Sequence, residues 1–214
     1  MEIYDLTHTI SEDMPVYPGT EQPQLLPGST YEKDGFRETI LHMFSHTGTH
    51  MDAPNHLFPE QPTLDRLPID QFVGSALVID CRTCGEGDTI PLSAITAYGK
   101  LADEAEFLLF CTDWDRYWGK PTYYGAYPYL SPEAVDYLKS HPKKGVGLDM
   151  IGIDPIPDEN LTIHRQLLAD GNFVIMENLV GLDRLLGKGL FTYCALPTKF
   201  ENADGAPIRA IAIV

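Results

Sequence analysis

The chain contains seven histidines, and three of them fall in one eleven-residue stretch that also holds an aspartate: His46-Thr47-Gly48-Thr49-His50-Met51-Asp52-Ala53-Pro54-Asn55-His56. Imidazole and carboxylate are borderline-to-hard donors, a set suited to zinc or manganese. On a helix His46 and His50 would share a face, but Gly48 and Pro54 oppose regular helix. The stretch reads instead as a tight, glycine-bent loop that turns several side chains toward one point. His56 lies beyond the pivot at Pro54, placed to face the same point as a proton-transfer group rather than a ligand. Residue types alone leave two readings open, a metal loop and an ordinary polar loop with hydrogen-bonded histidines.

Elements must position these groups. Residues 2–10 read as an opening strand with His8 in it as a structural hydrogen-bonding residue. The segment from Met14 to Gly19 carries Pro15 and Pro18 and cannot be a central strand. Residues 20–37 are turn-rich and polar, which predicts a surface or active-site loop. Residues 39–44 form a strand running into the histidine loop. His42 lies about 13 Å from His46 along such a strand, too far to co-ligate. Residues 75–80 and 106–111 are apolar enough for buried strands, with a short helix between them opened near Pro91 and closed by Gly99.

Residues 112–118, Thr-Asp-Trp-Asp-Arg-Tyr-Trp, make an aromatic and charged loop suited to a pocket wall or a subunit contact. Ser131 then caps a helix whose first residue is Pro132, and a strand lies within residues 144–150. Residues 161–168 read as a helix capped by Thr162, with Gly171 just past its end. That places His164 in the first turn, where the positive end of the helix dipole favours a neutral, metal-competent imidazole. Glu177 ends the buried strand 173–176 and needs a cation, a metal or solvent as partner. Strands over 190–196 and 208–214 close the chain. The pattern is α/β and strand-rich, one domain over residues 1–214.

With 214 residues, 43% of them hydrophobic, the chain can bury a sizeable core. Its 31 acidic and 15 basic residues give a formal charge of −16, which repels nucleic acid and anionic membranes. No apolar run nears the roughly 20 residues that span a bilayer. The first residues lack the basic and apolar regions of a signal peptide, so a cytoplasmic location is expected. Cys81 and Cys84 have C-x-x-C spacing, but no second pair completes a zinc knuckle. Gly85 and Gly87 follow them where a redox motif would open a helix. With Cys111 and Cys194 they read as reduced structural thiols.

The string H-x-G-T-H-x-D-x-P-x-H from His46 to His56 resembles the signature of the metal-dependent cyclase / kynurenine formamidase family. The likeness extends to Asp5-Leu6-Thr7-His8, to Pro15-Val16-Tyr17-Pro18-Gly19, to Thr112-Asp113-Trp114-Asp115, and to His164 with Glu177-Asn178-Leu179. It implies a swivelling β/β/α fold and a homodimer or homotetramer. It further implies that His46, His50 and Asp52 ligate a first divalent ion, and that Asp52 bridges to a second ion held by His164 and Glu177. One or two Zn2+ ions are expected, with Mn2+ as the alternative, and His56 is the acid/base. Tyr17 stands where the formamidases commonly carry tryptophan, and Asp113 stands where glycine is usual; Tyr17 and Trp114 are the substrate-contact candidates.

The implied activity is metal-dependent amide hydrolysis, with an aryl amide as the small-molecule partner. The arylformamidases of the family convert N-formylkynurenine to kynurenine and formate in tryptophan breakdown. An ion lowering the pKa of water toward about 7 makes hydroxide available for attack on the formyl carbonyl, and His56 manages the proton. Related hydrolases open isatin or other small cyclic amides and esters. A non-catalytic metal- or ligand-binding protein is the rival from another class, but such a protein has no need of His56. A structural zinc site commonly closes four ligands, often with cysteines, and the cysteines here lie elsewhere.

Overall fold

Alternation along the strands decides how the sheet faces. Leu77, Ile79, Leu108, Phe110, Val146, Leu148 and Ile175 pack in one hydrophobic cluster. Their sequence neighbours Ala76, Val78, Phe107, Leu109, Cys111, Val174 and Met176 pack in another. Strands with both faces apolar are buried on both sides.

A computed structural model describes residues 1–214. The strands are β1 (Ile3–Asp5), β2 (Gln24–Ser29), β3 (Glu38–His42), β4 (His50–Asp52), β5 (Val73–Asp80) and β6 (Thr89–Ile90). They continue as β7 (Phe107–Cys111), β8 (Tyr129–Leu130), β9 (Gly145–Leu148), β10 (Val174–Glu177), β11 (Phe191–Pro197) and β12 (Gly205–Ile213). The helices are α1 (Tyr31–Asp34), α2 (Leu92–Thr96), α3 (Lys100–Glu104), α4 (Pro132–Ser140) and α5 (Thr162–Leu168).

The main sheet runs β1-β12-β11-β5-β7-β9-β10-β4, and β4 also pairs with β12. That second pairing closes the sheet into a barrel, with β1 as a flange on β12. The β5–β7, β7–β9 and β9–β10 pairs are parallel, while β4 is antiparallel to both its neighbours. A small closed barrel fills its own interior with side chains. Here Ala195, Ala206, Ala210 and Ala212 leave room for Met51, Phe107 and Tyr193. The outer face of the parallel strands is covered by Ile95, Ala102, Val135, Leu138, Leu167 and Leu168 from the helices. The architecture is strand-rich α/β, as expected. No helix is long and apolar enough to cross a membrane.

Three local expectations are corrected. Residues 20–37 contain β2 and α1, and β2 pairs with β3 as an exposed hairpin. Its turn-forming composition concealed the cross-strand matches Leu25–Leu41 and Leu26–Ile40. The opening strand covers only Ile3–Asp5. The cap of α5 is Leu161 in the left-handed region at φ 51°, not Thr162. Asp158 and Asp154 instead accept the first amide N–H groups of α5, from Thr162, Ile163 and His164. By contrast, Ser131 caps α4 as expected, its hydroxyl accepting from the Ala134 N–H.

Candidate metal centre

β4 is three residues long, and its alternation sets the site. Met51 faces the barrel interior, so His50 and Asp52 face outward. Across the antiparallel ladder Glu177 stands opposite His50, and Ile175 opposite Asp52; directly opposed residues share a face. Gly48, at φ 67°, makes the bend that brings His46 back over the strand. The first turn of α5 supplies His164 from the same outer side. Thus the loop, β10 and α5 converge, although the sequence separates them by more than a hundred residues.

His46 Nδ1 lies 2.6 Å from Asp52 Oδ1, and His50 Nε2 lies 3.3 Å from the same oxygen. On the other side His164 Nε2 is 3.4 Å from Asp52 Oδ2 and 3.3 Å from Glu177 Oε1. Donor atoms of His46, His50 and Asp52 all fall within 4.8 Å of one another, and so do those of Asp52, His164 and Glu177. Asp52 belongs to both sets. Its Oδ2 is buried and has no hydrogen-bond partner, a costly state for a carboxylate oxygen. A divalent cation between Asp52 and its histidines removes that cost, and the N/O donor set fits such an ion.

The rings of His50 and His164 are held from behind. His50 Nδ1 donates to the Gly48 carbonyl at 2.8 Å, and His164 Nδ1 meets Asp154 Oδ2 at 2.6 Å. Each such bond fixes the tautomer and leaves the other nitrogen for an ion. Asn178, at φ 58°, organises the loop: its Nδ2 donates to the Gly48 carbonyl and its carbonyl accepts from the Thr49 hydroxyl. Tyr123 donates in turn to Asn178 Oδ1 at 2.7 Å. Asp154, Asp204 and Asn178 lay beyond residue-by-residue reading of site roles. Asp154-Pro155 and Asp204-Gly205 both read as turns, and no spacing rule links either to a distant histidine.

Charge explains the protonation pattern. Burial works against protonating His46, but the carboxylates of Asp52 and Asp204 outweigh it and push it up to about 10. His164 is likewise raised well above the usual histidine value, burial being overcome by Asp154, Asp52 and Glu177. Asp52 is held well below the usual range despite complete burial, by His46, His50 and His164. Without a metal, the neighbouring carboxylates outweigh the helix dipole at His164 and favour its protonated form. Converging carboxylates make a well for positive charge that protons and metal ions compete to fill.

His56 closes the cluster from the other side of Pro54. Its ring centroid is 4.1 Å from that of His46 and 6.1 Å from that of His164. Burial, seconded by His46 and His164, holds it below the usual histidine value against Asp52 and Glu177. Both effects favour the neutral ring, the state in which an imidazole accepts a proton.

All five expected ligands and His56 line one cavity of about 290 Å³, walled on its apolar side by Pro15, Tyr17, Phe44, Ile151 and Leu161. Tyr17 is therefore at the pocket. Trp114 is not: it is 5% exposed, in the core, its indole N–H donating to the Tyr123 carbonyl. The turn that carries it is pinned by Asp149, which accepts from the Thr112 hydroxyl and from the Thr112 and Asp113 N–H groups. That turn draws the ring inward. Asp113 takes φ 59° there, which accounts for the glycine usual at this place in the resembling family. His42 is absent from these two donor sets and from a third one of His46, His56 and Asp204. The ring of His8 stacks on Trp118 at 3.8 Å with its Nε2 unpartnered, and only its main-chain N–H is bonded, to the Thr49 hydroxyl.

The sequence model of the Cyclase family matches residues 4–155, covering the histidine loop. The chain belongs to this family. A kynurenine formamidase of Geobacillus thermodenitrificans is 30% identical over 96% of this chain and 94% of its own length. An isatin hydrolase solved with the product analogue thioisatinate superposes with a TM-score of 0.86 at 26% identity, covering 100% of this chain and 92% of that one. A structure described as a potential metal-dependent hydrolase with cyclase activity gives a TM-score of 0.80 at 28% identity, over 99% and 96% of the two chains. The family and the strand-rich fold thus agree with the sequence reading.

Proposed function

We propose that this chain is a metal-dependent amide hydrolase that converts N-formylkynurenine to kynurenine and formate. The observation that carries the reading is Asp52, shared by two histidine-containing donor sets, its Oδ2 unpartnered, with His56 on the wall of the same cavity. Similarity to kynurenine formamidases over nearly the whole chain supports the substrate class.

His46, His50 and Asp52 would hold one divalent ion, and Asp52, His164 and Glu177 a second, with Zn2+ favoured over Mn2+ by the histidine content. An ion held there supplies Lewis acidity and an acidified water at neutral pH. The chain's own groups do the rest. Tyr17, Phe44 and Pro15 give an apolar wall of a size and kind to seat an aryl ring. A ring seated there would bring the formyl group toward the donor cluster that lines the same cavity. Neutral His56 takes a proton from the attacking water, and as imidazolium returns it to the arylamine nitrogen that leaves. The exposed apolar hairpin of β2 and β3, with Leu26, Ile40 and Leu41, supports assembly as a homodimer or homotetramer, to be read by light scattering.

A second substrate is favoured by a specific observation. The full-length superposition with isatin hydrolase, together with Tyr17 where formamidases commonly have tryptophan, fits opening of a cyclic aryl amide by the same groups. The deciding experiment is turnover of N-formylkynurenine and of isatin by protein loaded with zinc or manganese, against a chelated control. Metal-dependent hydrolysis of the formamide is the expected result. Turnover of isatin alone reassigns the substrate, and turnover of neither discards both.

A further inference from the structure

Each ligand histidine has two ring nitrogens, and the one turned away from the donor cluster is held every time. For His50 the partner is the Gly48 carbonyl, and for His164 it is Asp154. For His46 it is Asp204, whose Oδ2 lies 3.2 Å from Nε2. The same oxygen is 3.9 Å from His56 Nδ1. One carboxylate therefore faces a ligand from before Pro54 and the proton-transfer group from after it.

We propose that Asp204 is a positioning residue for both histidines, orienting His46 toward the metal and His56 toward the substrate; the second half rests on the hydrolase reading above. With Nε2 committed to Asp204, His46 presents Nδ1 to the cluster, where it already lies 2.6 Å from Asp52. His56 Nδ1 faces the same carboxylate at 3.9 Å, longer than a hydrogen bond, so Asp204 orients that ring by charge. A carboxylate behind an imidazole fixes its tautomer and raises its basicity, in metal sites and in acid–base pairs alike.

The carboxylate is 44% exposed, yet its backbone is fixed. The Ala53 N–H donates to the Asp204 carbonyl at 2.9 Å, and the following residue, Gly205, pairs with Asp52 in the β4–β12 ladder. Ala203, just before, is fully buried, and its N–H is bonded by Asp65. A short side chain on an immobile backbone has only two torsions to settle. That suits an orienting group more than a solvated surface acid.

The test compares wild type with Asp204→Asn, which keeps the shape, and Asp204→Ala. Zinc affinity is measured by chelator competition, zinc stoichiometry by elemental analysis, and N-formylkynurenine hydrolysis by steady-state kinetics. Both variants are expected to lose about 10–100-fold in zinc affinity at unchanged stoichiometry. They should also lose kcat on that order, with KM within about twofold and with a smaller loss when His56 is already alanine. Unchanged affinity and kcat would overturn the proposal. So would the loss of a bound ion, which would make Asp204 a ligand. Zinc affinity needs no substrate, so a wild type inactive on the formamide overturns the substrate reading and leaves the His46 half of the proposal to its own measurement.

Discussion

Gly205 stands directly opposite Asp52 across the β4–β12 ladder, and a methyl group added at Gly205 would run into the His46 ring. The absent side chain is the space His46 occupies. Gly205→Ala is therefore expected to displace His46, lowering zinc affinity by at least about tenfold. Overpacking at such a site costs about 1–3 kcal/mol. Chelator competition and thermal melts of the two proteins check both parts, and equal zinc affinity would show that His46 moves without consequence.

His56 lines the cavity but contributes to neither donor set that contains Asp52. His56→Ala should lower kcat about 10²–10⁴-fold while zinc content stays at the wild-type level. The measurement is elemental analysis beside kinetics on one preparation. A variant that turns over at full rate with full metal would remove His56 from the chemistry.

Metal should stabilise the fold, because the ion removes an unsatisfied buried oxygen and binds only the folded arrangement. Zinc held at about a hundredfold above its dissociation constant is expected to add about 2.7 kcal/mol, a rise in Tm of about 5–10 °C. Asp52→Ala should abolish most of the rise. Melting curves with chelator and with zinc decide this, and a Tm indifferent to zinc counts against the site.

His8 offers a pH signature away from the ligands. Burial lowers its pKa to about 4, below the usual value in an unfolded chain. The unfolded state thus binds the proton more readily between about pH 4 and 6.5, so stability is full above 6.5 and falls as pH drops toward 4. The loss is on the order of 2–3 kcal/mol. His8→Phe, which keeps a ring to stack on Trp118, should flatten this difference. Denaturant titrations of both proteins in chelator across pH 4–7.5 would show parallel curves if His8 plays no part.

Tyr17 and Trp114 should part company under mutation. Tyr17→Ala is expected to raise KM several-fold while Tm moves little, since the side chain is 41% exposed at the cavity. Trp114→Ala should cost about 3–5 kcal/mol of stability. Trp114→Phe should preserve KM within about twofold. Steady-state kinetics with the three variants would expose any direct contact between Trp114 and substrate as a raised KM in Trp114→Phe.

The histidine loop was legible because His46, His50, Asp52 and His56 sit in one short string, where residue type and spacing suggest the chemistry. Glu177 stood out for a different reason, a carboxylate ending an apolar strand with no visible partner. Its cross-strand neighbour, His50, is set by β4–β10 pairing, which no local pattern encodes; only the family likeness joined Glu177 to the loop. Most main-sheet strands were visible in runs such as residues 75–80. The β3 arm of the exposed hairpin was read within residues 39–44, but its partner β2 was not, since none of the β2 residues is buried and hydrophobic periodicity has nothing to report there. Trp114 was misplaced because an aromatic loop composition does not say which way the ring turns. Asp149, the residue that turns it, is 36 positions away from Asp113.

The closure of the barrel by β4 also sets an order of events. β4 is held on one side by β10 and on the other by β12, so the outward row of His50 and Asp52 takes its final place only when both later strands have docked. During synthesis the histidine loop leaves the ribosome well before Glu177 and Gly205. Contacts of such long sequence separation form late and slowly. A chain without β12 keeps the histidine string but has no seam to align it, so the two donor sets that share Asp52 depend on a strand more than a hundred and fifty residues away.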